Sequence, residues 1–364
     1  MKLFILVNPG LEKIGQEEIK ELLGAAAGVA ATINPAVLEI EVKNQEEILK
    51  LIYGMQSVRR ILIPLGKFKT ITGYLKLASL NWADFFSSEL SFKVEVENVK
   101  GQENREEIAK KIAGKVFTVL TNSKLVPKLE MKKPDILINV YFNNQEYFIG
   151  IDLIGVELNA RGYRVFPHSA SFKGDFAYAF IRKSGFKPEN KLLVGFAKDG
   201  TLAIEAALYA NQLPVHPSQE KRFSFFKFPF FSQVNFPIPV PALKPTVISA
   251  FDESQQNLIA ARKNSQLAGT ANHINFYKMA LDELDVKFEP EEFDQLIFQI
   301  TTKDEEKLNE IYYQANYVLK PKGTLLLIAR PNWEISLSSK FKLVIKEEIL
   351  RGGSTHKLWL LKKK

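Results

Sequence analysis

Cysteine is absent from this chain of 364 residues, which removes structural disulfides, thiolate metal sites and cysteine nucleophiles together. Histidine is scarce, with four in all, and His216 and His356 read as residues of polar loops; a metal-centred enzyme is therefore not expected. No run of eighteen apolar residues occurs, so no membrane-spanning helix is expected. The opening apolar run, Leu3 to Val7, is too short for the core of a signal peptide. Those absences point to a soluble, cytoplasmic protein without metal or membrane. Two phosphate-binding signatures are missing as well: no G-x-G-x-x-G follows a strand, and no G-x-x-x-x-G-K precedes Ser or Thr. A dinucleotide oxidoreductase and a nucleoside triphosphatase are set aside on that ground.

What is present is an ordinary globular composition, 46% hydrophobic and 25% charged, long enough for roughly two or three domains. Lys and Arg number 49 against 41 Asp and Glu, a formal charge of +8, which makes a polyanion a reasonable partner. The lysines at 362–364 read as a solvated tail.

Hydrophobic periodicity gives the first seventy residues as strand, helix, strand, helix, strand. Leu3 to Val7 is an apolar strand, and Asn8-Pro9-Gly10 is a turn into a helix carrying Leu11, Ile14, Ile19, Leu22 and Leu23. Val37 to Val42 alternates as a strand, Gln45 to Tyr53 is helical and Arg60 to Phe68 is a third strand. This order predicts a small antiparallel sheet of the ferredoxin-like kind over residues 1–70. A second α+β unit over 71–165 holds a strand at Phe92 to Glu97, a helix at Arg105 to Thr121, and two strands, Asp135 to Tyr141 and Tyr147 to Leu153, joined by a tight turn at Asn143-Asn144-Gln145. It concentrates Lys93, Lys110, Lys111, Lys115, Lys124, Lys128, Lys132 and Lys133. Composition alone leaves these open between phosphate contacts and a solvated face.

Beyond residue 165 strands and helices alternate, from a helix at Phe172 to Ser184 to an apolar strand at Gly323 to Ala329. That pattern predicts a doubly wound sheet over 166–364, with its ligand site at the carboxyl ends of the strands. The insertion from Phe223 to Phe236 carries seven of the 27 phenylalanines, so it is expected to bury those rings against a domain or present them to a partner.

Three segments together resemble the THUMP-domain RNA methyltransferases, whose members include enzymes that methylate the exocyclic amine of guanine in tRNA. They are the start, ending in Asn8-Pro9-Gly10-Leu11-Glu12; the stretch Lys132-Lys133-Pro134-Asp135 leading to Gly150-Ile151-Asp152-Leu153-Ile154-Gly155 and Asn159-Ala160-Arg161-Gly162-Tyr163-Arg164-Val165; and the order of motifs after it. The resemblance implies an N-terminal ferredoxin-like plus THUMP α+β region followed by a Rossmann-like class I methyltransferase domain. It also implies S-adenosylmethionine as the cofactor of a working site, and RNA, in particular tRNA, as partner. Lys93, Lys111, Lys115, Lys132, Lys133, Arg161 and Arg164 are then the candidate RNA contacts. For Arg161 and Arg164 a structural carboxylate is the equal alternative to a phosphate.

The site motifs depart from the family. Where the family reads Asp-Pro-Phe-Cys-Gly-Ser-Gly-Thr, this chain has Val194 to Thr201, keeping Phe196, Gly200 and Thr201 but placing Lys198 at a glycine position. A side chain there is expected to obstruct the cofactor. Asp252 ends the second strand, where a ribose-binding carboxylate is implied, although such an Asp also serves as a helix cap. Ala280 replaces the adenine-binding Asp, leaving Asp282 as a candidate substitute. The Asn-Pro-Pro-Tyr motif reads Gln299-Ile300-Thr301-Thr302: Gln299 keeps an amide for the target amine, but Thr302 cannot stack on a base. The expectation is a tRNA-binding family member with impaired catalysis and no cofactor, or the non-catalytic partner of an active methyltransferase subunit. The alternative is an active guanine-N2 methyltransferase with a rebuilt site, in which Phe196, Gly200, Thr201, Asp252 and Asp282 hold the cofactor.

Overall fold

A computed structural model describes residues 1–24, 32–71, 77, 80–216, 223–232, 248–301, 303–351 and 354–364. The chain divides into two units. One comprises Met1–Val7, Leu11–Leu158 and Gln219–Pro237; the other comprises Asn8–Gly10, Asn159–Ser218 and Ile238–Lys364.

In the first unit the alternating segments become β1 (Lys2–Val7), β2 (Thr32–Asn34), β3 (Val37–Glu41), β4 (Val58–Phe68), β5 (Ser91–Glu97), β6 (Lys128–Leu129), β7 (Ile136–Phe142) and β8 (Tyr147–Asp152). Three helices accompany them: α1 (Glu12–Leu23), α2 (Gln45–Gly54) and α3 (Gln102–Asn122). Asn44 caps α2 by accepting from the Glu47 N–H. Asn144, at a φ of +72°, makes the expected turn between β7 and β8.

The expected break near residue 70 is not a break in the sheet. All eight strands form one sheet in the order β2-β3-β1-β4-β8-β7-β5-β6, because β4 pairs antiparallel with β1 on one side and β8 on the other. Buried charge fixes this junction. Arg60 on β4 donates to Glu97 on β5 (2.7 Å) and to the fully buried Asp152 on β8 (2.6 Å), while Arg59 donates to Glu97 from the same strand (2.6 Å). Carboxylates this deep require a paired cation.

The Phe-rich stretch also joins this unit instead of the domain expected over 166–364. Ser224 and Phe225 donate their backbone N–H to Ile154 and Leu153. Phe223, Phe225, Phe228 and Phe231 are buried, Phe228 lying edge-on to Phe85 and Phe225 edge-on to Tyr53, whereas Phe226 remains exposed. Burial against the N-terminal sheet unit explains why so aromatic a segment is no solvated loop; Phe236 lies outside the described residues.

The second unit contains α4 (Gly174–Lys183), β9 (Leu192–Gly195), α5 (Thr201–Asn211), β10 (Ile248–Asp252), α6 (Gln255–Leu267), β11 (Ile274–Lys278), α7 (Leu284–Lys287), β12 (Phe293–Gln299), α8 (Glu305–Val318), β13 (Leu319–Ala329), β14 (Phe341–Arg351) and β15 (Ser354–Lys363). The sheet order is β11-β10-β9-β12-β13-β15-β14. The first five are parallel and nearly all-apolar where buried; β15 runs antiparallel to β13 and β14. The terminal hairpin escaped the periodicity reading because β14 mixes Lys and Glu into its alternation. It also turns the expected lysine tail into strand: Lys363 donates to the Leu319 carbonyl at 2.6 Å. His356 is likewise no loop residue; it sits on β15, edge-on to Phe172, and His216 is buried.

Candidate functional site

The carboxyl ends of β10, β9 and β12 lie side by side, where a doubly wound sheet places its ligands. The loop from Phe196 to Gly200 leaves β9 here and starts α5. Phe196 and Lys198 adopt φ values of +56° and +53°, and Gly200 +81°. The loop therefore keeps the left-handed path that glycine takes without steric cost, although a lysine occupies its centre. Close packing makes the two true glycines necessary. A Cβ on Gly195 would fall 2.3 Å from the Phe298 ring, and one on Gly200 would fall 2.9 Å from the Ala261 Cβ.

Lys198 is only 7% exposed. Its Nζ donates to Oε1 of Gln299 at the end of β12, and the Gln299 Nε2 donates to the Ala170 carbonyl at 3.0 Å. Burial pushes the Lys198 amine down to about 8, against the opposing pull of Asp252 and Asp199. The Asp252 carboxylate is engaged from two sides: it accepts from the Lys198 N–H of the loop after β9 (2.9 Å), and from the Ser254 N–H (2.9 Å) and Asn257 Nδ2 (3.0 Å) of its own loop and helix. The cap of α6 is Ser254, not Asp252. Asp199 accepts from Thr201 N–H and Oγ1, from the His168 N–H and from Arg164 Nη2 (3.1 Å). Asn264 bonds the backbone of Phe166 and Asp199, which ties the 164–170 segment along the same loop.

The cavity among Ser171, Phe172, Lys198, Asp199, Thr201 and Gln299 measures about 10 Å³. That is room for roughly one water, whereas small-molecule ligands occupy pockets of about 300–1,000 Å³. Around Lys198 the residues present therefore leave no room for the methionine part of S-adenosylmethionine. Phe196 is packed between Phe251 and Phe298 beneath Lys307. Asp282 stands exposed on a short turn, Leu281–Glu283, which Ala280 precedes. The structure thus brings Phe196, Gly200, Thr201, Asp252 and Gln299 together and leaves Asp282 at the periphery; Thr302 lies outside the described residues. Among the described residues, no group of His, Asp and Glu is placed to hold a metal, and no helix is long and apolar enough to cross a membrane.

The arginine question resolves toward carboxylates. Arg161, expected among the RNA contacts, is entirely buried: its Nε and Nη2 donate to Glu205 on α5 at 2.8 and 3.1 Å, and Tyr163 donates to the same carboxylate at 2.7 Å. Arg164 is turned onto Asp199. The Arg161 guanidinium is thereby closed to a phosphate, whereas the Arg164 side chain stays 18% exposed beside Asp199. Asp175 at the start of α4 accepts from Asn8 and Asn159, which gives Asn8 and Asn159 of the resemblance a structural purpose.

In the first unit, Lys111, Lys132 and Lys133 are exposed and Lys93 and Lys115 half-buried; Lys111 pairs with Glu107 one helical turn away (2.6 Å). Lys93 faces a groove of about 580 Å³ between β5 and α3 that also holds Arg105, Lys110, Leu129 and Met131. Arg105 was not among the residues singled out from sequence. Its signal was the spacing Gln102, Arg105, Ala109, Ala113 along one face of α3, where two alanines leave room over the sheet.

Two family models match the chain. Residues 161–330 match the UPF0020 family (RMKL-like, methyltransferase domain), and residues 74–152 match the THUMP domain. Three solved structures share the fold over essentially the whole length. TrmN from Thermus thermophilus is 19% identical, with a TM-score of 0.70 and 100% of each chain covered. SMU.472, in complex with SAH, is 19% identical, with a TM-score of 0.71, 100% of this chain and 98% of that one covered. An N6-adenine-specific DNA methylase from Listeria monocytogenes, so titled as a prediction, is 18% identical, with a TM-score of 0.71 over 99% and 95% of the two chains.

Proposed function

We propose that this chain, which joins a THUMP domain to an RMKL-like methyltransferase domain, binds structured RNA of the tRNA class without transferring a methyl group to it. The observation that carries the reading is the 10 Å³ cavity between the loop after β9 and Gln299 at the end of β12. In-line methyl transfer needs donor and acceptor atoms about 3–3.5 Å apart and positioned to within about 0.5 Å of the productive geometry, and this space admits neither donor nor base. RNA binding rests on the THUMP domain and its exposed lysines, whose counter-surface is a phosphate backbone. The THUMP domain, together with the full-length likeness to TrmN from Thermus thermophilus, makes tRNA the first RNA to test.

The experiment is a titration of the full chain with bulk tRNA at several salt concentrations, beside a methyl-transfer assay with labelled S-adenosylmethionine. The expected result is tRNA affinity that falls as salt rises, with no label incorporated. Replacing Lys132 and Lys133 together by Ala should lower the slope of log K against log salt by about 1.4–1.8 if each contacts one phosphate. Incorporation of label above background would refute the silent reading, and salt-independent or absent tRNA binding would refute the partner.

A further inference from the structure

We propose that Lys198 is an internal occupant of the vestigial pocket, one side chain that takes both the space of an S-adenosyl ligand and the acceptor of a target amine, and that its removal reopens the site. The inference rests on the non-methylating reading above and assigns its cause to one residue.

Four observations support it. The backbone at Lys198 follows the left-handed path natural to glycine, with a φ of +53°. Gly195 and Gly200 on either side remain in close contact with Phe298 and Ala261, so the walls of the pocket are in place. The side chain of Lys198 is only 7% exposed and lines the remaining space, which measures about 10 Å³. Its ammonium donates to Gln299 Oε1, while Ala170 fixes the orientation of that amide from the other side. A carbonyl oxygen at the end of β12 aimed at an amine is the contact expected for a target base, and here the amine belongs to the protein itself. Three of the roughly four acceptor positions of Asp252 are already filled, by the Lys198 N–H of the neighbouring loop and by Ser254 and Asn257, so a reopened pocket would hold its ligand weakly.

The test is calorimetric titration of the full chain with S-adenosylhomocysteine for the wild type, Lys198→Gly and Lys198→Met, with thermal melting to establish that each is folded. The expected result is no measurable binding to the wild type or to Lys198→Met, which keeps the bulk, and binding at least tenfold tighter to Lys198→Gly. Should the glycine variant not fold, Lys198→Ala is read in the same way. Binding to the wild type equal to that of the glycine variant overturns both the internal occupant and the silent reading. A folded glycine variant that binds no better than the wild type overturns the internal occupant alone, and the salt dependence of tRNA binding bears on neither. Equal gains in the Met and Gly variants also overturn it, because charge and not bulk would then be the barrier.

Discussion

Removing the guanidinium of Arg161 isolates the buried pair at the start of the methyltransferase unit. Both side chains of the Arg161–Glu205 pair are fully shielded from solvent, and two bonds of 2.8 and 3.1 Å join them. Arg161→Met keeps an apolar stem of similar reach but leaves the Glu205 carboxylate without its paired charge. Breaking one half of a buried ion pair costs about 3–5 kcal/mol. With a urea dependence of about 1–3 kcal/mol per M, the midpoint should fall by roughly 1–5 M. Urea titration followed by tryptophan fluorescence reads this directly, since Trp333 and Trp359 lie in the same unit. Adding Glu205→Gln removes the stranded charge while keeping an acceptor for the Tyr163 hydroxyl, so the double variant should recover about 2 kcal/mol. In buffer without urea, tRNA affinity of the folded Arg161→Met should stay within twofold of the wild type. A loss below 1 kcal/mol together with a tenfold loss of tRNA affinity would refute the structural assignment and return Arg161 to the phosphate surface.

Two further outcomes are expected. The Lys198 amine has a pKa of about 8 in the fold against an ordinary 10.5, so between those values the unfolded chain binds more protons. Its burial penalty is full below pH 8 and is relieved as pH rises toward 10.5, worth up to about 3 kcal/mol; a Lys198→Met series of urea melts from pH 7 to 10 should lack this rise, and an identical rise would discard the assignment. In the Phe-rich stretch, Phe228→Ala should cost about 3–5 kcal/mol because the ring is 1% exposed against Phe85, while Phe226→Ala, at a ring 53% exposed, should cost under about 1 kcal/mol. Equal losses at the two positions in thermal melts would contradict the burial described.

Periodicity and local chemistry were enough to place most elements. Apolar runs gave β9, β10, β12 and β13; amphipathic spacing gave α1, α3 and α8; and Asn143-Asn144 marked its turn, because these signals lie within a few residues of one another. The sequence also showed that a lysine holds a glycine position and that the final motif lacks its prolines and aromatic ring. Tertiary structure decided matters that depend on residues far apart in the chain. Arg60 could pair with Asp152 and Glu97 only once β4 lay beside β8, which merged two expected domains into one sheet. Arg161 met Glu205 across 44 residues, and Lys198 met Gln299 across 101. Charged side chains look alike in a sequence whether they face water, a phosphate or a buried partner. Only the fold fixes which of these surrounds them, because the cost of burying a charge is set by the groups packed against it.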